Sequence, residues 1–318
     1  MSELHGLVVR IDAKRCHVEV EGQVHLLTPR GRLFEDKGRV KNPIAVGDYV
    51  VVDLDSEEGG AIEAVLPRKS KLARASAGEG TMEQVLVANV DQVLIVSAIV
   101  DPLFRPRIVD RILAGAERGG MQARIVLNKL DLEGQRKAKK AEVLAAGGPE
   151  LVHSSETWRR FYEGLGYPVH LCSAAQGRGI DELRAVLEDK ITVFSGLSGV
   201  GKSSLLNAIE PGLSLRVGKI SGRHREGKHT TTHSSLLRLE NGGHVVDTPG
   251  IRNFGLFGLE RAELATLFRE MRPFLGECSY RDCSHTHEPD CAVLAALKRG
   301  EIEAFRYESY CDLLSKLG

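Results

Sequence analysis

The stretch Gly196-Leu197-Ser198-Gly199-Val200-Gly201-Lys202-Ser203-Ser204 decides how the chain is read. It follows the apolar run Ile191 to Phe194 and leads into Leu205-Leu206-Asn207-Ala208-Ile209. Strand, glycine loop and helix are predicted in that order, and G-x-x-x-x-G-K-[ST] is the pattern of a phosphate-binding loop. Glycines let backbone N–H groups curl around a triphosphate at a helix N-terminus, where negative charge is favoured. In this reading Lys202 reaches the outer phosphates and the Ser203 hydroxyl binds Mg²⁺. Gly196, Ser198, Gly199, Val200, Gly201 and Ser204 complete the contact set.

Upstream, Asn128-Lys129-Leu130-Asp131 ends the apolar strand Arg124 to Leu127. A carboxylate at Asp131 accepts both the N1–H and the N2 amine of guanine. Adenine has no such donor pair and would leave a buried charge unsatisfied, so GTP is expected over ATP. Ser173-Ala174-Ala175, after a strand ending near Leu171, matches a small loop whose backbone also holds guanine. Downstream, Asp247-Thr248-Pro249-Gly250 ends the run His244-Val245-Val246. An aspartate there binds Mg²⁺ through water and the Gly250 N–H senses the γ-phosphate. The competing reading of D-T-P-G is a plain turn.

Between loop and D-T-P-G lies Arg223-His224-Arg225-Glu226-Gly227-Lys228-His229-Thr230-Thr231-Thr232. A threonine here completes Mg²⁺ coordination in the GTP state. Thr231 is the first choice and Thr230 the second. Ras-like enzymes place a water-orienting glutamine after the D-x-x-G glycine, where this chain has Ile251. Isoleucine cannot hydrogen-bond a water, so slow intrinsic hydrolysis is expected. His229 is the replacement within the chain; the alternative is an exposed loop histidine without a role.

The order of these parts is rotated. A Ras-like domain puts the phosphate loop first and N-K-x-D late, whereas here residues 128 and 173 precede 196 and 247. A circularly permuted GTPase is expected, which is plausible where natural termini lie close together. The chain then leaves the GTPase just after Asp247, so movement of that switch is expected to pull on whatever follows.

Residues 1 to about 70 read as short strands: Leu7-Val8-Val9, His17 to Val20, Val24 to Leu27, Tyr49 to Val52 and Ala61 to Leu66. Turn signals such as Gly22, Gly31, Gly47-Asp48 and Gly59-Gly60 divide them. Five such strands suit an OB-fold barrel, with an SH3-like packing barrel as the alternative. Pro67-Arg68-Lys69-Ser70-Lys71-Leu72-Ala73-Arg74 is a basic connector, read either as a solvated linker or as a nucleic-acid contact. From about residue 86 strands and helices alternate, the pattern of a parallel sheet covered on both faces. After about 256 the chain reads as helical, with Leu259, Leu264, Leu267, Phe268 and Met271 on one apolar face. In Cys278-x₄-Cys283-x-His285-x₅-Cys291, three thiolates and an imidazole point to a closed, structural Zn²⁺ site, with His287 as a substitute for His285.

Composition sets the outer bounds. The chain has 318 residues, 43 basic and 43 acidic, so affinity for nucleic acid must come from local patches. No apolar run approaches the roughly 18 residues of a membrane span and no signal peptide opens the chain, so a cytoplasmic location is expected. Six cysteines, three of them within 278 to 291, fit metal better than a disulfide framework.

The whole pattern closely resembles the RsgA/YjeQ family of bacterial GTPases in small ribosomal subunit biogenesis. The resemblance rests on G-L-S-G-V-G-K-S-S-L-L-N from Gly196, G-K-H-T-T-T from Gly227, D-T-P-G from Asp247 and the cysteine–histidine cluster, and it runs over essentially the full length. It implies an OB-fold domain over 1–70, a linker over 71–85, a permuted GTPase domain over 86–255 and a helical zinc domain over 256–318. It also implies late binding of a monomer to the 30S subunit and its 16S rRNA, with subunit-stimulated GTP hydrolysis in which a histidine at the position of His229 takes part. The barrel has only Phe34 and Tyr49 as aromatics, which favours phosphate and shape recognition over base stacking. Arg30, Arg32, Lys37, Arg39 and Lys41 are the candidates, or ordinary surface charges. Two other readings stay open: a GTP-gated RNA-binding scaffold in which hydrolysis is incidental, and a GTPase serving tRNA or a protein partner.

Overall fold

Seven consecutive buried residues, Gln92–Ala98, form strand β8 at the heart of the molecule. The computed structural model describes residues 3–12, 15–34, 42–56, 59–75, 83–135, 139–213, 235–247 and 258–317. β8 is flanked by β9 (Gln122–Asn128) and β11 (Ile191–Ser195), both parallel to it. β10 (Val169–Leu171) pairs parallel beyond β9, and β13 (His244–Asp247) parallel beyond β11. β12 (Ser235–Arg238) closes the run antiparallel to β13.

Side chains alternate across β8, so Val93 and Ile95 face one core while Leu94 and Val96 face another. The first core packs against α1 (Pro106–Arg118) and α3 (Ser155–Gly164), the second against α4 (Ile180–Leu187) and α5 (Lys202–Ile209). Both faces are covered, which is why the central strands lack polar alternation. α1 starts with Pro106, whose missing N–H costs nothing in a first helical turn. α3 is capped by Ser154, which accepts from the Thr157 N–H at 3.2 Å. A short α2 (Lys140–Ala146) lies between β9 and α3.

The N-terminal strands are β1 (Leu4–Asp12), β2 (Arg15–Val20), β3 (Gln23–Pro29), β4 (Tyr49–Asp53) and β5 (Ala61–Val65). They run in the order β1-β2-β3-β5-β4, and β4 returns to β1 to close the barrel. β3 pairs parallel with β5, Thr28 opposite Ala61. That partly open five-strand closure is the OB arrangement. Val8, Val18, Val50 and Ile62 fill it. The barrel joins the large sheet where β1 meets β12, Arg10 opposite Ser235. Beside this seam Glu19 takes Arg238 at 2.5 Å and His244 at 3.0 Å.

The expected linker over 71–85 contains strands instead. β6 (Lys71–Ala75) pairs antiparallel with β7 (Glu83–Ala88), with Leu72 opposite Val87. Leu72 and Val87 are both buried, because the hairpin packs under the barrel and Val46 bridges to Val87. The basic connector is also partly internal. Arg68 grips the fully buried Asp48 with two contacts of 2.7 Å.

The C-terminal part is built from α6 (Arg261–Leu264), α7 (Ala292–Lys298) and α8 (Ala304–Ser315) around Leu264, Phe268, Met271, Val293 and Leu313. The helical stretch expected after 256 is made of short pieces: a 3₁₀ turn over Ala265–Leu267 takes over from α6, and Leu259, Leu264, Leu267, Phe268 and Met271 are buried as the pattern requires. α8 docks on α1 through a buried ion network. The Arg306 guanidinium reaches Asp110 of α1 at 2.6 Å and Glu270 at 2.5 Å, with 1% of Arg306 and none of Asp110 exposed. Ser309 and Tyr162 donate to the same Asp110 carboxylate at 2.6 and 2.9 Å. A second tie joins Glu117 of α1 to Arg269 and Arg272, each at 2.7 Å. Burial opposes the charge of Glu117, but these hydrogen bonds prevail and hold its carboxyl below the usual range. Arg306→Ala would strand two buried carboxylates, and a loss of roughly 3–5 kcal/mol is expected. An unchanged midpoint in urea denaturation would exclude a structural role for the network.

Candidate nucleotide site and candidate metal centre

β11 ends at Ser195, and the chain turns through the glycine loop before entering α5. Two of the glycines are there for space. A Cβ on Gly196 would lie 2.0 Å from the Val96 carbonyl oxygen, and one on Gly201 would lie 2.3 Å from Asn128 Nδ2. Both also have positive φ, 137° and 96°, which side-chain-bearing residues rarely adopt. The loop therefore lies directly on β8 and on the end of β9. Lys202 folds back over it, its ammonium donating to the carbonyls of Gly196 at 2.9 Å and Leu197 at 2.7 Å. Lys202 and Ser203 are buried at the start of α5. The Lys202 ammonium is thus held at the loop's mouth among carbonyls, and Ser203 stands on the first turn of the helix. This donor set fits a phosphate chain with its metal.

The second motif is wired to the first. Asn128, at the end of β9, donates from Nδ2 to the Val200 carbonyl at 3.0 Å and accepts the Ala174 N–H on Oδ1 at 3.1 Å. One amide thus ties the phosphate loop to the Ser173 loop across 72 and 46 residues of sequence. Ser173 donates to the Asp131 carboxylate at 2.5 Å. Lys129 adopts φ 64° and its ammonium reaches the Asp101 carbonyl. Asn128, Lys129, Asp131, Ser173 and Ala174 are thereby gathered at the C-terminal ends of β9 and β10, beside the loop that follows β11. Binding at the carboxyl ends of parallel strands is the rule for such sheets.

Asp247 closes β13, which runs parallel to β11. His229, Thr230, Thr231, Gly250 and Ile251 lie outside the described residues. Both chain segments that flank them are held: Ser235 pairs with Arg10 of the barrel, and the Gly258 carbonyl accepts from Arg118 of α1 at 2.6 Å.

The cysteine–histidine cluster is brought together as a single group. The ligand atoms of Cys278, Cys283, His285 and Cys291 all lie within 4.8 Å of one another. Cys278 Sγ and Cys291 Sγ each sit 3.5 Å from His285 Nδ1 and 3.9 Å from each other. A tetrahedron with Zn–S of about 2.3 Å and Zn–N of about 2.0–2.1 Å has S···N edges near ~3.5 Å and S···S edges near ~3.8 Å. The donor set fits Zn²⁺. His287 is outside the group, exposed and hydrogen-bonded to Thr286 at 2.9 Å. Sequence reading missed the supports around the cluster. Tyr307 and Tyr310 of α8 donate to the carbonyls of His285 and Ser284, at 2.9 and 2.7 Å. Glu288 accepts from the N–H of Ser284 at 2.7 Å and of Thr286 at 3.1 Å. Cys291 also caps α7, accepting the Leu294 N–H.

On the barrel, Arg30 and Arg32 both turn to Glu63, at 2.9 and 2.7 Å. Phe34 and Tyr49 are exposed. Lys37, Arg39 and Lys41 lie outside the described residues.

Fold, strand order and motif order together define a circularly permuted P-loop GTPase with an OB barrel before it and a helical cysteine–histidine domain after it. The pattern of the RsgA GTPase family matches residues 65–257, and the chain belongs to that family. A small ribosomal subunit biogenesis GTPase RsgA from Gemmatimonas aurantiaca is 42% identical over 93% of this chain and 92% of its own length. Its counterpart from Chlorobaculum parvum is 38% identical over 99% and 98%. Among solved structures, YjeQ from Thermotoga maritima superposes with a TM-score of 0.76 at 35% identity, covering 99% of each chain. YloQ, described as a circularly permuted GTPase, gives 0.71 at 28%, covering 99% and 95%. The chain hydrolyses GTP as a member of this family. Among the described residues no helix is long and apolar enough to cross a membrane.

Proposed function

We propose that this GTPase binds the small ribosomal subunit late in its assembly, that the subunit stimulates hydrolysis, and that hydrolysis times release. The supporting observation is that the likeness to relatives named for small-subunit biogenesis extends over the barrel and the helical domain as well as the GTPase. The division of labour follows the notional boundaries 1–70, 86–255 and 256–318, with the β6–β7 hairpin between the first two. A monomer acting in the cytoplasm fits a protein that works on free subunits.

At the nucleotide, Asp131 accepts the guanine N1–H and N2 amine, while Asn128, Lys129, Ser173 and Ala174 hold it in place. The loop N–H groups from Gly196 to Ser204 and the Lys202 ammonium meet the phosphates. Ser203 and Thr231, with Asp247 through water, would hold Mg²⁺, which when bound would supply positive charge to the phosphate chain. His229 orients the attacking water in place of a glutamine, and Gly250 registers the γ-phosphate. Cys278, Cys283, His285 and Cys291 hold a structural Zn²⁺.

GTP turnover by the purified protein, alone and with purified 30S or 50S subunits, tests this reading. A rise of about tenfold or more with 30S only is expected, since supplying one missing transition-state contact is worth about 10²–10³. A rate indifferent to 30S would sink the proposed trigger and send attention to tRNA or a protein partner. His229→Ala distinguishes the enzyme from a GTP-gated scaffold. Stimulated turnover is expected to fall while nucleotide-dependent subunit binding persists; unchanged turnover removes His229 from the mechanism.

A further inference from the structure

At the seam between the GTPase and the helical domain lies a groove of about 420 Å³ that the nucleotide chemistry does not use. Its floor is aromatic. Trp158 and Phe161 come from α3, and Phe305 from the first turn of α8 lies 5.5 Å from the Trp158 ring and 4.9 Å from that of Phe161. Its rim carries the carboxylates of Glu150, Glu303 and Glu308 together with His153, and among the described residues neither lysine nor arginine lines it. Glu308 is paired with Arg107 at 2.8 Å, which leaves Glu150 and Glu303 as the acidic edge. Val152, between the lining residues Leu151 and His153, is 41% exposed, one of the seven large apolar side chains the described surface leaves open.

We propose that this groove docks a basic, partly aliphatic segment of a partner polypeptide. The Glu150 and Glu303 carboxylates attract a guanidinium or ammonium by charge pairing, and the half-buried rings of Phe161 and Phe305 pack against its aliphatic stem. Val152 beside the lining takes an aliphatic residue next to it. The same carboxylates repel phosphate, so RNA is excluded here even though the family works on a ribonucleoprotein. Because the floor is shared by α3 and α8, an occupant also bridges the GTPase and the helical domain.

The chain has a single tryptophan, Trp158, buried beneath Phe161 and Phe305, so its emission reports on the packing of the groove floor. The probe is a short amidated peptide of alternating arginine and leucine, titrated into the full-length protein. A glutamate–leucine counterpart and an RNA oligonucleotide serve as controls. A saturable change in emission is expected with the basic peptide alone, weakened roughly tenfold in the double variant Glu150→Lys/Glu303→Lys. Both substitutions are at exposed positions away from the nucleotide, and basal GTP turnover checks that the variant is folded. An emission insensitive to the basic peptide, or equally sensitive in the variant, overturns the proposal. So does an equal response to RNA, or a change with protein concentration alone, which would make the groove a face between two copies of this chain.

Discussion

Stripping the metal from the cysteine–histidine cluster, or replacing Cys283 by serine, is expected to unfold much of the helical domain while the parallel sheet stays intact. Structural zinc contributes about 10–16 kcal/mol to folding in small zinc-finger peptides. Here the loop from Cys278 to Cys291 has little apolar core of its own. Its backbone is held by Tyr307, Tyr310 and Glu288, and these supports need the loop closed to find their partners. Loss therefore spreads to α7, which Cys291 caps, and then to α8. The Arg306 network and Phe305 anchor α8 on α1 and limit the damage, so the stability change stays below the peptide value. Bound metal, thermal midpoint and Trp158 emission are the readouts. One equivalent of zinc lost together with a red-shifted emission is the expected result, because Phe305 leaves the ring. A metal-free protein with an unchanged midpoint would reject a structural zinc.

Asp131→Asn is expected to weaken GTP binding by about 10²–10⁴. Two hydrogen bonds to a charged group are worth roughly 1.5–3 kcal/mol each, and 1.4 kcal/mol is tenfold in affinity. The geometry adds a direction. Ser173 donates to the residue-131 side chain and holds one oxygen, so in the asparagine variant that place goes to the amide oxygen. The amide NH₂ then faces the purine, where guanine also presents a donor. Xanthosine triphosphate offers a carbonyl at that position and should bind the variant better than GTP does. Calorimetric titration with both nucleotides settles it; an unaltered GTP affinity would remove Asp131 from base recognition.

The fold also bears on how a switch motion travels. Motif order alone suggests that movement after Asp247 pulls on the helical domain. In the structure that domain is fixed to α1 through Arg306, Asp110 and Glu117, and Gly258 is held by Arg118 of the same helix. The segment 248–257 is thus bounded at both ends by the GTPase. On the other side of the sheet, the backbone of Ser235 pairs with Arg10 of the barrel.

The residues that read most clearly from sequence are those whose chemistry is local. The loop at Gly196 to Ser204, Asn128-Lys129-Leu130-Asp131 and the cysteine–histidine spacing each need only neighbours a few positions away, so residue type and interval carry the information. Ile180–Leu187 was likewise legible, because one helix face repeats within the segment. The closure of the barrel by β3 on β5 was not, since OB and SH3-like strands share the same alternation and differ only in which distant strand they meet. The hairpin at 71–88 escaped because Arg68, Lys69, Lys71 and Arg74 mask its buried partners, and only packing under Val46 makes it a sheet. Asp110, Arg306 and Glu270 look like surface charges in any window of sequence. They become a buried clasp because a fold brings α1 and α8, nearly 200 residues apart, into contact. Local chemistry follows from the order of residues along the chain, but burial and partnership at long range are decided only when the elements pack, because desolvation depends on every neighbour at once.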